Sequence, residues 1–250
     1  MEPNILVFVL IGFIAQMIDG ALGMAYGVTS NTFLLSIGIS PAIASASVHS
    51  AEVFTTAASG LSHCLFGNVD RKLFLKLVIP GVLGGAIGAY ALVLGEKACF
   101  IKPLVATYLL IVGVAILRQA LRRPREREVR RFLIPLGAIG GFLDAIGGGG
   151  WGPMVTSTIV AQGHNPRRTV GSVNAAEFFV TSAVTATFIT HIPALISTYW
   201  RIIVGLLLGG VIAAPLAAFI CKKLPTRTLM ALVGVLIIIL SVRTLYLSLV

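Results

Sequence analysis

The sequence predicts an all-α polytopic membrane protein made of two inverted-topology repeats. Each repeat is a glycine-broken helical hairpin followed by three transmembrane helices. The first observation is composition: of 250 residues, 57% are apolar and 11% charged, with a mean hydropathy of +0.97. A soluble domain carries about 25% charged residues. So few charges cannot solvate a soluble protein of this size, which excludes a soluble enzyme, a disordered chain and a disulfide scaffold. The second observation is an internal repeat. Shifting the chain by 125 residues aligns Asp19–Ala91 with Asp144–Leu216 without a gap, and 17 of 73 columns are identical. Roughly six would match by chance, so the chain is a duplicated half. The third is the placement of the basic residues, taken up below.

Each half holds one interrupted apolar stretch and three ordinary spans. The first stretch, Ile5–Ile37, is too long for a single crossing and is broken at Gly20, Gly23 and Gly27. Spans near 42–64, 73–94 and 103–121 follow, each close to the ~20 residues that cross a bilayer. Residues 1–121 thus form the first repeat, and 122–131 form a basic linker. The second repeat, 132–250, opens with Phe132–Gln162, broken at Gly147 to Gly150 and at Gly152-Pro153. Its spans run near 168–190, 197–221 and 228–249.

The net charge of +10 invites a nucleic-acid reading that fails on distribution, since seven of 19 basic residues fall between Arg118 and Arg131. A cytoplasmic loop obeying the positive-inside bias explains them. If each broken stretch turns back as a hairpin, Arg71, Lys72, Lys76, Arg167, Arg168, Lys222, Lys223 and Arg227 join that loop on one side. Only Lys97 and Lys102 then lie clearly opposite. Hairpins leave three crossings per half, an odd number, so the halves are inverted and both termini lie outside. Eight spans with kinked first and fifth helices are the alternative. Cys64, Cys99 and Cys221 show no metal or CxxC spacing and read as free thiols. Met1–Val7 lacks a basic n-region, so the first apolar stretch reads as retained.

Four of nine acids fall in repeat-related pairs within apolar surroundings: Asp19 with Asp144 and Glu52 with Glu177. Ionisable groups at such depth are costly and point to function. The aspartates directly precede the breaks and are expected to cap the second half-helices. The glutamates sit mid-span. Glu52 lies on a stripe of Ser45, His49, Thr56, Ser59 and His63, spaced to share one helical face; the second half has Asn174, Glu177 and Thr181. A hydrogen-bond seam between packed helices competes with a polar pathway there. The breaks suggest anion chemistry, because half-helix N-termini present unpaired N–H groups and glycine permits close approach. No Gly-Lys-Ser/Thr follows, so neither is a P-loop.

GALGMAYG then GISPAIASASVHSAEVFTT in the first half, and GGGGWGP then GHNPRRTVGSVNAAEFFVT in the second, resemble the TauE/SafE family of sulfite exporters. GNVD with Arg71-Lys72, followed by PGVLGGAIGA, resembles it too, and the likeness covers nearly the whole chain. Departures are the shorter first glycine run and Ser47 and Ser172 where threonine is commoner. The resemblance implies transport of a sulfur oxyanion or organosulfonate, coupled to protons or the membrane potential, in a prokaryotic cytoplasmic membrane. Partners are then a small anion and the lipid bilayer, with no nucleic acid, metal or cofactor; a homodimer is left open.

The expected substrate groups are Gly23, Asn31, Ser47, Gly148, Gly149, Gly150, Ser172 and Asn174, with His49, Glu52 and Glu177 as proton-handling or gating residues. His49, one turn before Glu52, is expected to pair with it for proton coupling, and Trp151 is expected to wall the site. The rivals are a passive anion channel and an intramembrane aspartyl enzyme using Asp19 and Asp144. The latter lacks a Gly-x-Gly-Asp or Tyr-Asp arrangement.

Overall fold

The computed structural model describes residues 4–22, 25–96, 98, 100–121, 132–162, 164, 166–221 and 226–249. Among these, every regular element is helical. Expected site residue Gly23 and the linker 122–131 lie outside the described residues.

In the first half, α1 (Ile5–Leu22) runs through Gly20 before it ends, and α2 (Tyr26–Ser36) restarts with Gly27 in its first turn. Three long helices follow, α3 (Pro41–Leu65), α4 (Arg71–Gly95) and α5 (Ile101–Leu121). The second half repeats this order. α6 (Leu133–Gly147) ends at the glycine run, and a π-helical turn, Gly152–Thr156, leads into α7 (Ser157–Ala161). Then come α8 (Pro166–His191), α9 (Leu195–Cys221) and α10 (Thr226–Leu249). Local chemistry explains several boundaries. Asp70 caps α4 by accepting from the Lys72 and Leu73 N–H groups. Gly38 (φ 98°), Gly67 (φ 65°) and Gly148 (φ 64°) take left-handed backbone where α2, α3 and α6 end, a conformation glycine adopts without penalty.

By length and composition, stretches of α4, α5, α8 and α9 are long and apolar enough to cross a membrane. The apolar parts of α1, α6 and α10 are shorter. α3 is long enough, but its polar stripe lowers its hydropathy. That stripe faces inward: Ser45, His49 and Glu52 are buried, while Phe54, Leu61 and Leu65 point outward.

Helix directions follow from which residues meet. α3 and α8 pack antiparallel, with Gly60 against Ala175, the Thr56 and Thr181 hydroxyls 3.4 Å apart, and Ser172 bonded to Asp70. α5 and α10 are antiparallel also, Gly113 meeting Ile237 and Leu117 meeting Gly234. α4 and α6 run parallel, Gly84 meeting Ala138 and Gly88 meeting Phe142. In the same way Phe8 of α1 meets Gly205 of α9, and Phe13 meets Gly209. These contacts survive exchange of the halves: α1 on α9 becomes α6 on α4, while α3–α8 and α5–α10 map onto themselves. Small residues let the backbones close up, which substitutes for a hydrophobic driving force between membrane helices.

After the second break the chain turns back on itself. Val155 packs against Gly140 of α6, so the chain beyond the glycine run descends along the helix it has just left. The Ser36 carbonyl at the end of α2 accepts from Arg243, close to the end of α10. The two breaks meet at the centre, where Gly27 lies directly on Gly149.

Candidate functional site

Each break is organised by its own aspartate. Asp144 Oδ1 accepts from the N–H groups of Gly150 (2.6 Å) and Trp151 (2.9 Å), and Asp19 Oδ1 accepts from the Tyr26 N–H (3.3 Å). Tyr26 and Trp151 are repeat mates, so the same capping geometry recurs 125 residues apart. The sequence anticipates a cap, and the aspartates do serve N–H groups at the restart, but from inside α1 and α6; Ala25 and Trp151, at the cap positions, make no side-chain cap bond. The Gly27 N–H faces the Glu52 carboxyl. The open N–H groups expected to await a substrate anion are therefore occupied by carboxyls of the protein itself.

The glycine run is explained by its neighbours. A side chain at Gly147 or Gly150 would collide with Tyr108 of α5, one at Gly148 with Asn31, and one at Gly149 with the Gly27 backbone. Gly149 also holds φ 137°, a conformation L side chains rarely adopt. The run lets α2 and α5 press on the second break. In the first half Ala25, the repeat mate of Gly150, sits at φ 95° without being glycine.

Beside the breaks lies a cavity of about 250 Å³. Gln16, Asp19, Ala25, Tyr26 and Gly27 line it from the first break, and Gly149, Gly150, Gly152 and Pro153 from the second. α3 contributes Glu52, Thr55, Thr56, Ser59 and His63, and α8 contributes Val170, Asn174 and Glu177. Three carboxyls thus share a cavity that no Lys or Arg lines among the described residues. The cavity runs from the breaks towards the end of α3 and the start of α8, where Arg71 and Arg168 lie.

On the far side of the breaks the protein is closed. His49 Nδ1 lies 2.8 Å from the Ser45 carbonyl, and Nε2 lies 3.1 Å from Asp144 Oδ2. Both groups are buried, the side chains 0% and 2% exposed. The Ser45 hydroxyl donates to the Ala145 carbonyl, and the Phe188 ring stands 6.4 Å from the imidazole. A carbonyl only accepts, so Nδ1 is the donor to Ser45.

Of the expected substrate residues, Glu52, Gly149, Gly150, Asn174 and Glu177 line the cavity. Six others serve elsewhere. Asn31 donates to the Gly147 carbonyl and ties α2 to the second break, packed on Gly148. Ser47 is buried without a partner for its hydroxyl. The Ser172 hydroxyl donates to the Arg168 carbonyl (2.7 Å) and accepts from the Asp70 N–H (2.8 Å), joining α8 to the start of α4. Trp151 does not wall the cavity; its ring packs on Gly81 and Gly140, and its Nε1–H donates to the Val173 carbonyl (3.2 Å). His49 faces Asp144 instead of Glu52, because its Nδ1 bonds back to its own helix and turns Nε2 across to α6.

Tyr26, Gln16 and Tyr108 escaped the sequence reading. The Tyr26 hydroxyl donates to the Leu206 carbonyl (2.9 Å), fixing the first break against α9. The Gln16 amide oxygen and the Tyr108 hydroxyl are buried without partners among the described residues. Their one sequence signal is a polar tip in an apolar helix opposite a glycine. Among the described residues no group of three or more His, Cys, Asp or Glu could hold a metal ion.

The family described as Sulfite exporter TauE/SafE matches residues 8–244 of the chain. A Bacillus subtilis (strain 168) protein called "Probable membrane transporter protein YtnM" is 45% identical over 252 residues, covering 97% of this chain and 83% of that protein. No solved structure matches the chain.

Proposed function

The chain is a membrane transporter belonging to the sulfite exporter TauE/SafE family, and from that premise we propose that it carries a small sulfur oxyanion or organosulfonate together with protons. The central cavity is the substrate site. The observation that carries this reading is a cavity set between two helix breaks, with Asp19, Glu52 and Glu177 on its wall and no basic residue beside them. Broken helices at matching positions of two repeats mark transporter substrate sites. Like charges repel strongly in a low-dielectric site. An oxyanion therefore enters this one only with protons on the carboxyls, and protonated carboxyls are hydrogen-bond donors to it. Coupling is then a consequence of the wall's composition.

The architecture proposed is two inverted repeats, 1–121 and 132–250, joined by a cytoplasmic linker at 122–131. Antiparallel packing of the equivalent helices α3 and α8, and of α5 and α10, supports it. With hairpins at the breaks, the positive-inside rule places the Arg71 and Arg168 end in the cytoplasm and both termini outside. The cavity then faces inward. The buried His49–Asp144 contact beyond it supports a carrier over a passive channel, because a carrier closes one side while the other is open.

Flux tests this reading. In proteoliposomes, sulfite or a C2–C3 sulfonate is expected to move faster under an imposed proton gradient, with saturation. Glu52→Gln is expected to remove the response to the gradient. Flux that saturates but ignores the gradient in the unmodified protein overturns proton coupling. No flux of any sulfur oxyanion or sulfonate overturns the substrate class.

A further inference from the structure

The repeat makes the closed side and the open side of this protein directly comparable. Four residues close the far side: Ser45, His49, Asp144 and Phe188. Their partners under the 125-residue shift are Val170, Asn174, Asp19 and His63. All four partners line the cavity. The groups that seal one side thus have, as exact repeat mates, the groups standing apart on the other. Among the described residues no hydrogen bond joins Asp19 to Asn174, whereas their mates are bonded at 3.1 Å.

We propose that Asp19 and Asn174 are the second gate: they form the contact that closes the cavity on this side when the His49–Asp144 contact opens on the other. The inference rests on the carrier reading above and adds the residues that alternate.

The chemistry supports the exchange at each position. Asp19 already caps the first break through its Oδ1, as Asp144 caps the second. That leaves the other carboxylate oxygen for a partner on the facing helix. Asn174 supplies an amide N–H where His49 supplies an imidazole N–H, so both gates are donor-to-carboxylate contacts from α3 or α8. The gates nonetheless differ in strength. An imidazole N–H is more acidic than an amide N–H and so the better donor to a carboxylate, which makes the Asn174 gate the weaker. Glu52 and Glu177 are mates that line the cavity together.

The test uses two probes in the full-length protein with Cys64, Cys99 and Cys221 replaced by serine. Ser59→Cys sits on the cavity wall, and Val184→Cys, its repeat mate, is buried in this state. Labelling by a membrane-impermeant maleimide is measured in inside-out and right-side-out vesicles. The expected ratio of Ser59 to Val184 labelling falls about fivefold in His49→Ala and rises by a similar factor in Asn174→Ala, the shift one buried hydrogen bond imposes. His49→Asn, which copies the other gate, is expected to fall between the unmodified ratio and that of His49→Ala, and replaces it if the alanine variant does not fold. The proposal is overturned if both gate variants move the ratio the same way or leave it unchanged. Opposite shifts with Ser59 labelled from the outer face would keep the gates and overturn the topology reading instead.

Discussion

The two helix breaks share an aspartate and two glycines in the same register, Asp19 with Asp144, Gly23 with Gly148 and Gly27 with Gly152, and stand in different surroundings. The second is tightly packed: Asp144 accepts two backbone N–H groups and meets the His49 imidazole, Tyr108 and Asn31 fill the space beside it, and Trp151 is fully buried, while Gly149, Gly150, Gly152 and Pro153 border the cavity. The first is more loosely held: Asp19 accepts one N–H at 3.3 Å and itself lines the cavity with Ala25, Tyr26 and Gly27. One repeated motif thus stands in two surroundings within a single molecule. What separates the breaks is the company each aspartate keeps and the longer glycine run, Gly147 to Gly150, of the second.

The largest expected difference between them lies in the aspartates. Asp144→Asn removes a carboxylate that serves three donors, and it should destabilise the protein by about 3–5 kcal/mol, the cost of breaking a buried pair. Asp19→Asn should cost only about 1 kcal/mol, the loss of one capping bond. Denaturant unfolding in detergent checks both. Equal losses would erase the distinction between the tightly and the loosely held break.

Next is the packing that keeps the second break shut. Gly150→Ala drives a methyl group into the Tyr108 hydroxyl, and overpacking of this kind costs about 1–3 kcal/mol. Tyr108→Phe removes the colliding atom, and that hydroxyl has no partner to lose among the described residues. The double variant should recover most of the melting temperature that Gly150→Ala forfeits. No recovery would mean the glycine run answers to backbone conformation alone.

The smallest difference concerns the repeat-mate serines. Ser172→Ala breaks two hydrogen bonds that join α8 to α4 and should cost about 1–2 kcal/mol. Ser47→Ala removes a hydroxyl that bonds to nothing among the described residues, and should lie within about 0.5 kcal/mol of zero. Thermal unfolding of the pair reads this directly.

Much of the fold was legible because bilayer thickness and glycine punctuation act locally. The expected span 42–64 became Pro41–Leu65, 73–94 became Arg71–Gly95, and both interruptions fall where glycine clusters. That Asp19 and Asp144 would serve the restarting helices was legible from their place beside the glycines, although each reaches six or seven residues along the chain to do so. Contacts across helices were not. Nothing near Trp151 says its ring will enter the gap left by Gly81, and periodicity puts His49 beside Glu52 on one face without saying which way the imidazole turns. Gly147 to Gly150 suggested room for a ligand, whereas Tyr108, Asn31 and Gly27 occupy that room. One long-range relation was within reach of the sequence. The 125-residue shift pairs His49 with Asn174 and Asp144 with Asp19.

The central claim is that substrate binds in the cavity between the breaks, and a structure of the protein with sulfite or a C2 sulfonate bound tests it most directly. The account predicts density for the anion within hydrogen-bond distance of Glu52 and Asn174, beside the Gly27–Gly149 contact. Density confined to the arginines at the start of α8, with the cavity vacant under saturating substrate, would contradict it.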